Sequence, residues 1–227
     1  MKTCSALLAF LLLAAFTCAH QNPPTQFFAT QSAKPQPDSL LPQRFPPPPG
    51  FERLPADPNS FAHYLRQLPL KPPGTRVRYY DGREKENPDI YAAVVDLPIG
   101  TKNLHQCADA IIRLRAEYLW RTRQNDQVHF NLNNGFRVDY ARWRKGERVK
   151  VVGNQTSWQP GAATSNTYAT FWSYLEFIFT YAGTLSLSKE IQPVSVSDLQ
   201  IGDIFIQGGS PGHAVIVVDM ASYLMRF

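Results

Sequence analysis

Residues 202–219 read GDIFIQGGSPGHAVIVVD. Two runs rich in β-branched and aromatic residues, DIFIQ (203–207) and HAVIVVD (213–219), flank the turn formers GGSPG. That layout predicts two strands joined by a turn. Working outward, NLHQCADAIIRLRAEYL (103–119) sets Leu104, Cys107, Ala108, Ile111, Leu114, Ala116, Tyr118 and Leu119 mostly at helical spacing. A helix is expected from about Asn103, with Asn103 or Thr101 able to cap it and with Asp109, Arg113, Arg115 and Glu117 largely off the apolar stripe. TYATFWSYLEFIFTYAG (167–183) predicts a second helix, apolar nearly all round and so buried, with Gly183 as its C-terminal cap.

Elsewhere the elements are short. Ser60 followed by FAHYLRQL and Pro69 predicts a small capped helix. RVRYYDG (76–82) and YAAVVDL (91–97) read as strands, and VHFNL, the NNG turn, FRVDY and ERVKVV suggest an antiparallel meander over residues 128–152. The tail ASYLMRF does not read as a further strand-turn-strand, and the domain is expected to be truncated at its C-terminus. Helices and strands do not alternate regularly. The expected class is therefore α+β, one domain over residues 50–227 with a mostly antiparallel sheet packed on two main helices.

Ahead of this domain, MKTCSALLAFLLLAAFTCAH places Lys2 before an apolar run and a small-x-small pattern at Thr17 and Ala19. This is the layout of a secretory signal over residues 1–19, too short for a membrane span. Alternatively, residues 15–18 (AFTC) form a loose lipobox, with Cys18 lipidated. Residues 20–49, rich in Pro, Gln, Asn and Ser, read as an extended tether. The expected location is the periplasm or cell envelope, with membrane contact only through a lipid on Cys18.

The chain carries 23 basic and 18 acidic residues, a net charge of +5. YARWRKGERVKV (140–151) concentrates basic and aromatic side chains, but no nucleic-acid recognition motif accompanies it, and a solvated strand-turn-strand accounts for it. An anionic or sugar polymer of the envelope is the partner that Trp143, Arg144 and Trp158 would meet. Two of the three cysteines, Cys4 and Cys18, lie in the signal, which leaves Cys107 as the domain's thiol. A thiol near a helix N-terminus gains thiolate character, and a histidine opening a strand after a Gly-rich turn is placed to act as a base. Cys107 and His213 are the candidate nucleophile and base. Cys107 also falls on the apolar stripe, where a free cysteine serves equally well as core.

Other constellations are thinner. His105 and Asp109 are four apart, with His129 or His213 available to complete a metal site, but no HExxH pattern supports one and no cofactor is expected. GGSPG leads into a strand and not a helix, so it lacks the dipole that cradles phosphate. Asn154-Gln155-Thr156 is a sequon without meaning in a bacterial chain.

Cys107 at a helix start, then Gly202-Asp203 before a strand and His213-Ala214-Val215 opening the next, resembles papain-like peptidases and the NlpC/P60-type cell-wall amidases. The resemblance implies a cysteine hydrolase of amide bonds. The papain pattern has a Gln several residues ahead of the Cys; here Thr101 stands six positions back and Gln106 is adjacent. The polar residue that orients the imidazole, usually on the strand after the His, has no clear counterpart. Separately, SFAHYLRQLPL, QCADAIIRLRAEYL, FTYAGTLSL and GDIFIQGGSPGHAVIVVD resemble an uncharacterised family of exported bacterial envelope proteins, over about residues 50–219.

Overall fold

The computed structural model describes residues 39–223. The expected signal, Cys18 and most of the expected tether lie outside the described residues. Helix α1 (Leu41–Arg44) falls within the stretch read as tether. Proline is tolerated in a first helical turn, where Pro42 stands, and the buried Leu41 anchors the turn.

The other helices are α2 (Phe61–Arg66), α3 (Cys107–Arg121), α4 (Tyr140–Trp143), α5 (Tyr168–Tyr181) and α6 (Thr184–Glu190). Ser60 caps α2 by accepting the His63 N–H at 3.1 Å. The strands are β1 (Phe51–Arg53), β2 (His129–Asn131), β3 (Arg137–Asp139), β4 (Glu147–Val152), β5 (Gln155–Pro160), β6 (Ile204–Gln207), β7 (His213–Ile216) and β8 (Ala221–Tyr223). They form antiparallel two-stranded ladders, β1–β8, β2–β3, β4–β5 and β6–β7, so the class is α+β.

The tail contributes a single strand, β8, which pairs with β1: Phe51 faces Tyr223 across the ladder and Asp219 receives Arg53 and Arg66 at 2.6 and 2.8 Å. Several expectations are corrected. Residues 76–82 and 91–97 form only isolated bridges, Arg78 with Glu84 and Leu70 with Val95. Tyr79 and Tyr80 stay exposed, and β-prone residues make a strand only where one face is buried. The meander is two separate hairpins because α4 intervenes between β3 and β4. Ala182, not Gly183, closes α5; Gly183 is extended and precedes α6, where its N–H donates to Ser186.

The main core joins α3, α4, α5, β2 and β3 through Ile112, Ala116, Phe130, Val138, Phe171, Tyr174 and Ile178. Tyr140 lies 5.3 Å from Phe171 and 5.2 Å from Tyr174, in edge and tilted contacts, and Tyr174 donates to the Val138 carbonyl. Three charged residues of α3 that were expected off the stripe, Asp109, Arg113 and Glu117, are buried. Their four-residue spacing puts them on one helical face, which the domain folds over. Arg113 pairs with Glu117 at 2.9 Å, donates to the Pro98 carbonyl and stacks over Trp172, while Tyr168 donates to Glu117. Among the described residues no helix is long and apolar enough to cross a membrane.

Candidate functional site

Helix α3 begins later than expected, at Cys107, with Gln106 as its N-cap. The Asp109 carboxylate turns back to accept the Gln106 N–H at 2.9 Å, which pins the chain where the helix opens. The backbone N–H of Ala110 is the first to bond back to the Gln106 carbonyl. Cys107 thus occupies the first helical position, beside the partial positive charge of a 15-residue helix. It is only partly buried, not the sealed core thiol that its place on the apolar stripe also allowed.

The predicted hairpin is present as β6–β7, with Gln207 opposite His213. Asp203 stabilises its entry by accepting the Gln200 N–H at 2.7 Å, while the Gly202 N–H donates to Val217. Gly202 has a φ of +104°, and a Cβ there would sit 3.1 Å from the Phe61 ring. The Gly-Asp pair therefore sets the bend into β6.

Helix α3 packs against β7. Ala108 and Ile111 share a buried cluster with Ala214, Leu187 and partly buried Ile204, Ile206 and Ile216; one turn further, Leu114 joins Ile216 and Val218. Cys107 and His213 are next in the chain to two members of this cluster, Ala108 and Ala214. Along β7 exposure alternates, with Ala214 buried and His213 and Val215 exposed. Successive strand side chains point to opposite faces, so the imidazole leaves from the face away from Ala214.

His105, two residues before the thiol, is held neutral: burial, then the Arg113 guanidinium, lower it from 6.5 to about 4. Its ring packs edge-on to Phe179. Asp109 is lifted from 3.8 to about 6 because burial outweighs the backbone N–H groups it accepts. Both residues of the candidate metal pair are thus engaged otherwise, and His129 lies on β2 with its Nδ1 3.0 Å from the Gln127 carbonyl. Among the described residues no group of three or more His, Cys, Asp and Glu side chains is placed to hold a metal.

Trp143, expected to meet a polymer, is 5% exposed and lies under Arg148, whose guanidinium is 4.4 Å from its ring. Arg142 stacks on Trp158 and pairs with Glu147; Arg144 approaches Asp126 at 3.5 Å. The basic segment spends most of its charge internally. A cleft of about 680 Å³ lies along β6, lined by Ile191, Val194, Val196, Asp203 and Phe205 among others, and neither Cys107 nor His213 lines it.

Sequence reasoning missed α6, which touches both halves of the site. Leu187 packs with Ala108 and Ala214, and Thr184 donates to the Gly209 carbonyl at 3.3 Å. The available signal was the run of glycines at 208, 209 and 212, which marks a close approach as readily as a flexible turn.

Searches of curated proteins and of solved structures return no significant match. A family model does match residues 41–224, spanning α1 to β8 and all the elements that hold Cys107 and His213. The chain belongs to the family described as Domain of unknown function (4846).

Proposed function

We propose that this protein is an exported cysteine-dependent amide hydrolase that acts on cell-wall peptide or envelope protein, with Cys107 as nucleophile and His213 as general base. The packing of α3 against β7 supports this reading. Cys107 stands partly buried at the first helical position and His213 exposed at the first strand position, each next in the chain to a member of one buried cluster. His213 takes the thiol proton. The thiolate attacks the amide carbonyl carbon, the C–N bond breaks as the imidazolium returns the proton to the leaving amine, and water then hydrolyses the thioester. Export rests on the signal over residues 1–19.

Iodoacetamide alkylation of Cys107 across pH 5–8 tests the assignment. At pH 6 the folded protein is expected to react roughly ten times faster than the same chain in urea, with His213→Ala erasing the excess. Labelling that proceeds only on unfolding makes the thiol a core residue and ends the hydrolase assignment.

A further inference from the structure

The turn that carries His213 is gripped from outside. A Cβ on Gly212, the residue before His213, would lie 2.1 Å from Thr184 Oγ1 and 2.4 Å from the Gly209 carbonyl oxygen. One on Gly208 would lie 2.2 Å from Ser188 Oγ and 3.2 Å from the Thr184 carbonyl oxygen. Contacts this close leave room for hydrogen alone, so glycine is required at both ends of the turn by space and not by a left-handed φ. Thr184 and Ser188 are four apart on α6 and form one face, which meets both ends of the turn. The Thr184 hydroxyl adds a bond to the Gly209 carbonyl. The same short helix sends Leu187 into the cluster that holds Ala108, next to Cys107, and Ala214, next to His213.

We infer that α6 is the bracket that holds the turn from which His213 emerges, and that Thr184 is a positioning residue for His213, resting on the assignment of Cys107 and His213 as nucleophile and base. Leu187 anchors the helix to the cluster shared by Cys107's and His213's neighbours, and Thr184 fixes the turn from which the imidazole emerges. Thr184 touches neither the thiol nor the substrate bond; it acts through the backbone of residues 208–212.

Alkylation of Cys107 as a function of pH, measured on the full chain with urea unfolding run beside it, separates the outcomes. Thr184→Val keeps the shape of the side chain and removes the hydroxyl, and Gly212→Ala pushes on the same contact from the turn. Both are expected to lower the pH 6 rate roughly tenfold, toward that of His213→Ala, since small misplacements of a reacting group are costly. Thr184→Ser should restore the parent profile, and Leu185→Ala, on an exposed position of the same helix, should leave it unmoved. If His213→Ala lowers the rate but Thr184→Val and Gly212→Ala keep the parent profile, the role of α6 is refuted and the cysteine–histidine assignment stands. If His213→Ala itself keeps the parent profile, the assignment fails and the positioning role fails with it.

Discussion

Glu117→Ala removes one half of an ion pair that lies wholly inside the domain. The Arg113 and Glu117 side chains are 1% and 3% exposed and 2.9 Å apart. With Glu117 gone, the guanidinium keeps the Pro98 carbonyl and the face of Trp172 but no counter-charge. Breaking a buried pair by deleting one partner costs about 3–5 kcal/mol, because the remaining charge stays desolvated. A domain of this size is stable by roughly 5–15 kcal/mol, so the variant should retain its fold with a much lower urea midpoint. Glu117→Gln, which keeps an acceptor for Tyr168 but no charge, should lie between variant and parent. The double variant Arg113→Met with Glu117→Leu removes both charges and refills the space, and it is expected within about 2 kcal/mol of the parent. Urea unfolding followed by tryptophan fluorescence reads all four proteins, and the stabilities compare directly if the denaturant slope is constant. A loss below about 1 kcal/mol for Glu117→Ala, or a double variant that loses as much as Glu117→Ala, would refute the reasoning.

Two further outcomes follow from the same helix and from the chain ends. Asp109, lifted to about 6, makes folding less favourable as pH rises from about 3.8 to 6, whereas His105, lowered to about 4, makes folding more favourable as pH rises from about 4 to 6.5. Each amounts to something on the order of 3 kcal/mol, and in the parent they largely offset. Asp109→Asn should therefore expose a stability that climbs between pH 4 and 6.5 and His105→Gln one that falls, both measured by urea midpoint against pH; parallel profiles in the two variants contradict the assignment. Asp219→Ala strips the partner from Arg53 and from the largely buried Arg66, and should cost roughly 2–4 kcal/mol. Faster hydrogen exchange at the Leu54 N–H, which bonds to Met220, locates the damage at β1–β8, and unchanged exchange there counts against this role for Asp219.

The hairpin, the two long helices and the α+β class could be read from periodicity and turn chemistry, which are local. Cys107 and His213 stood out for the same reason, one through its place at a helix start and the other after a Gly-rich turn. The charged face of α3 could not be read that way. Arg113 and Glu117 look like solvent residues until α5 brings Tyr168 and Trp172 over them, because the burial of a charge depends on what folds across it. The fate of the Val-rich stretches and the tail was likewise a matter of partners. Residues 91–97 found only the single bridge of Val95 with Leu70, while Ala221–Tyr223 became a strand because Phe51–Arg53 lies alongside. The sequence by itself determined which segments have helical or strand character and which residues carry nucleophilic and basic chemistry. Only the tertiary structure decided that α3 packs against β7 and that α6 grips the turn between β6 and β7, since contacts between segments distant in the chain leave no periodic trace in either.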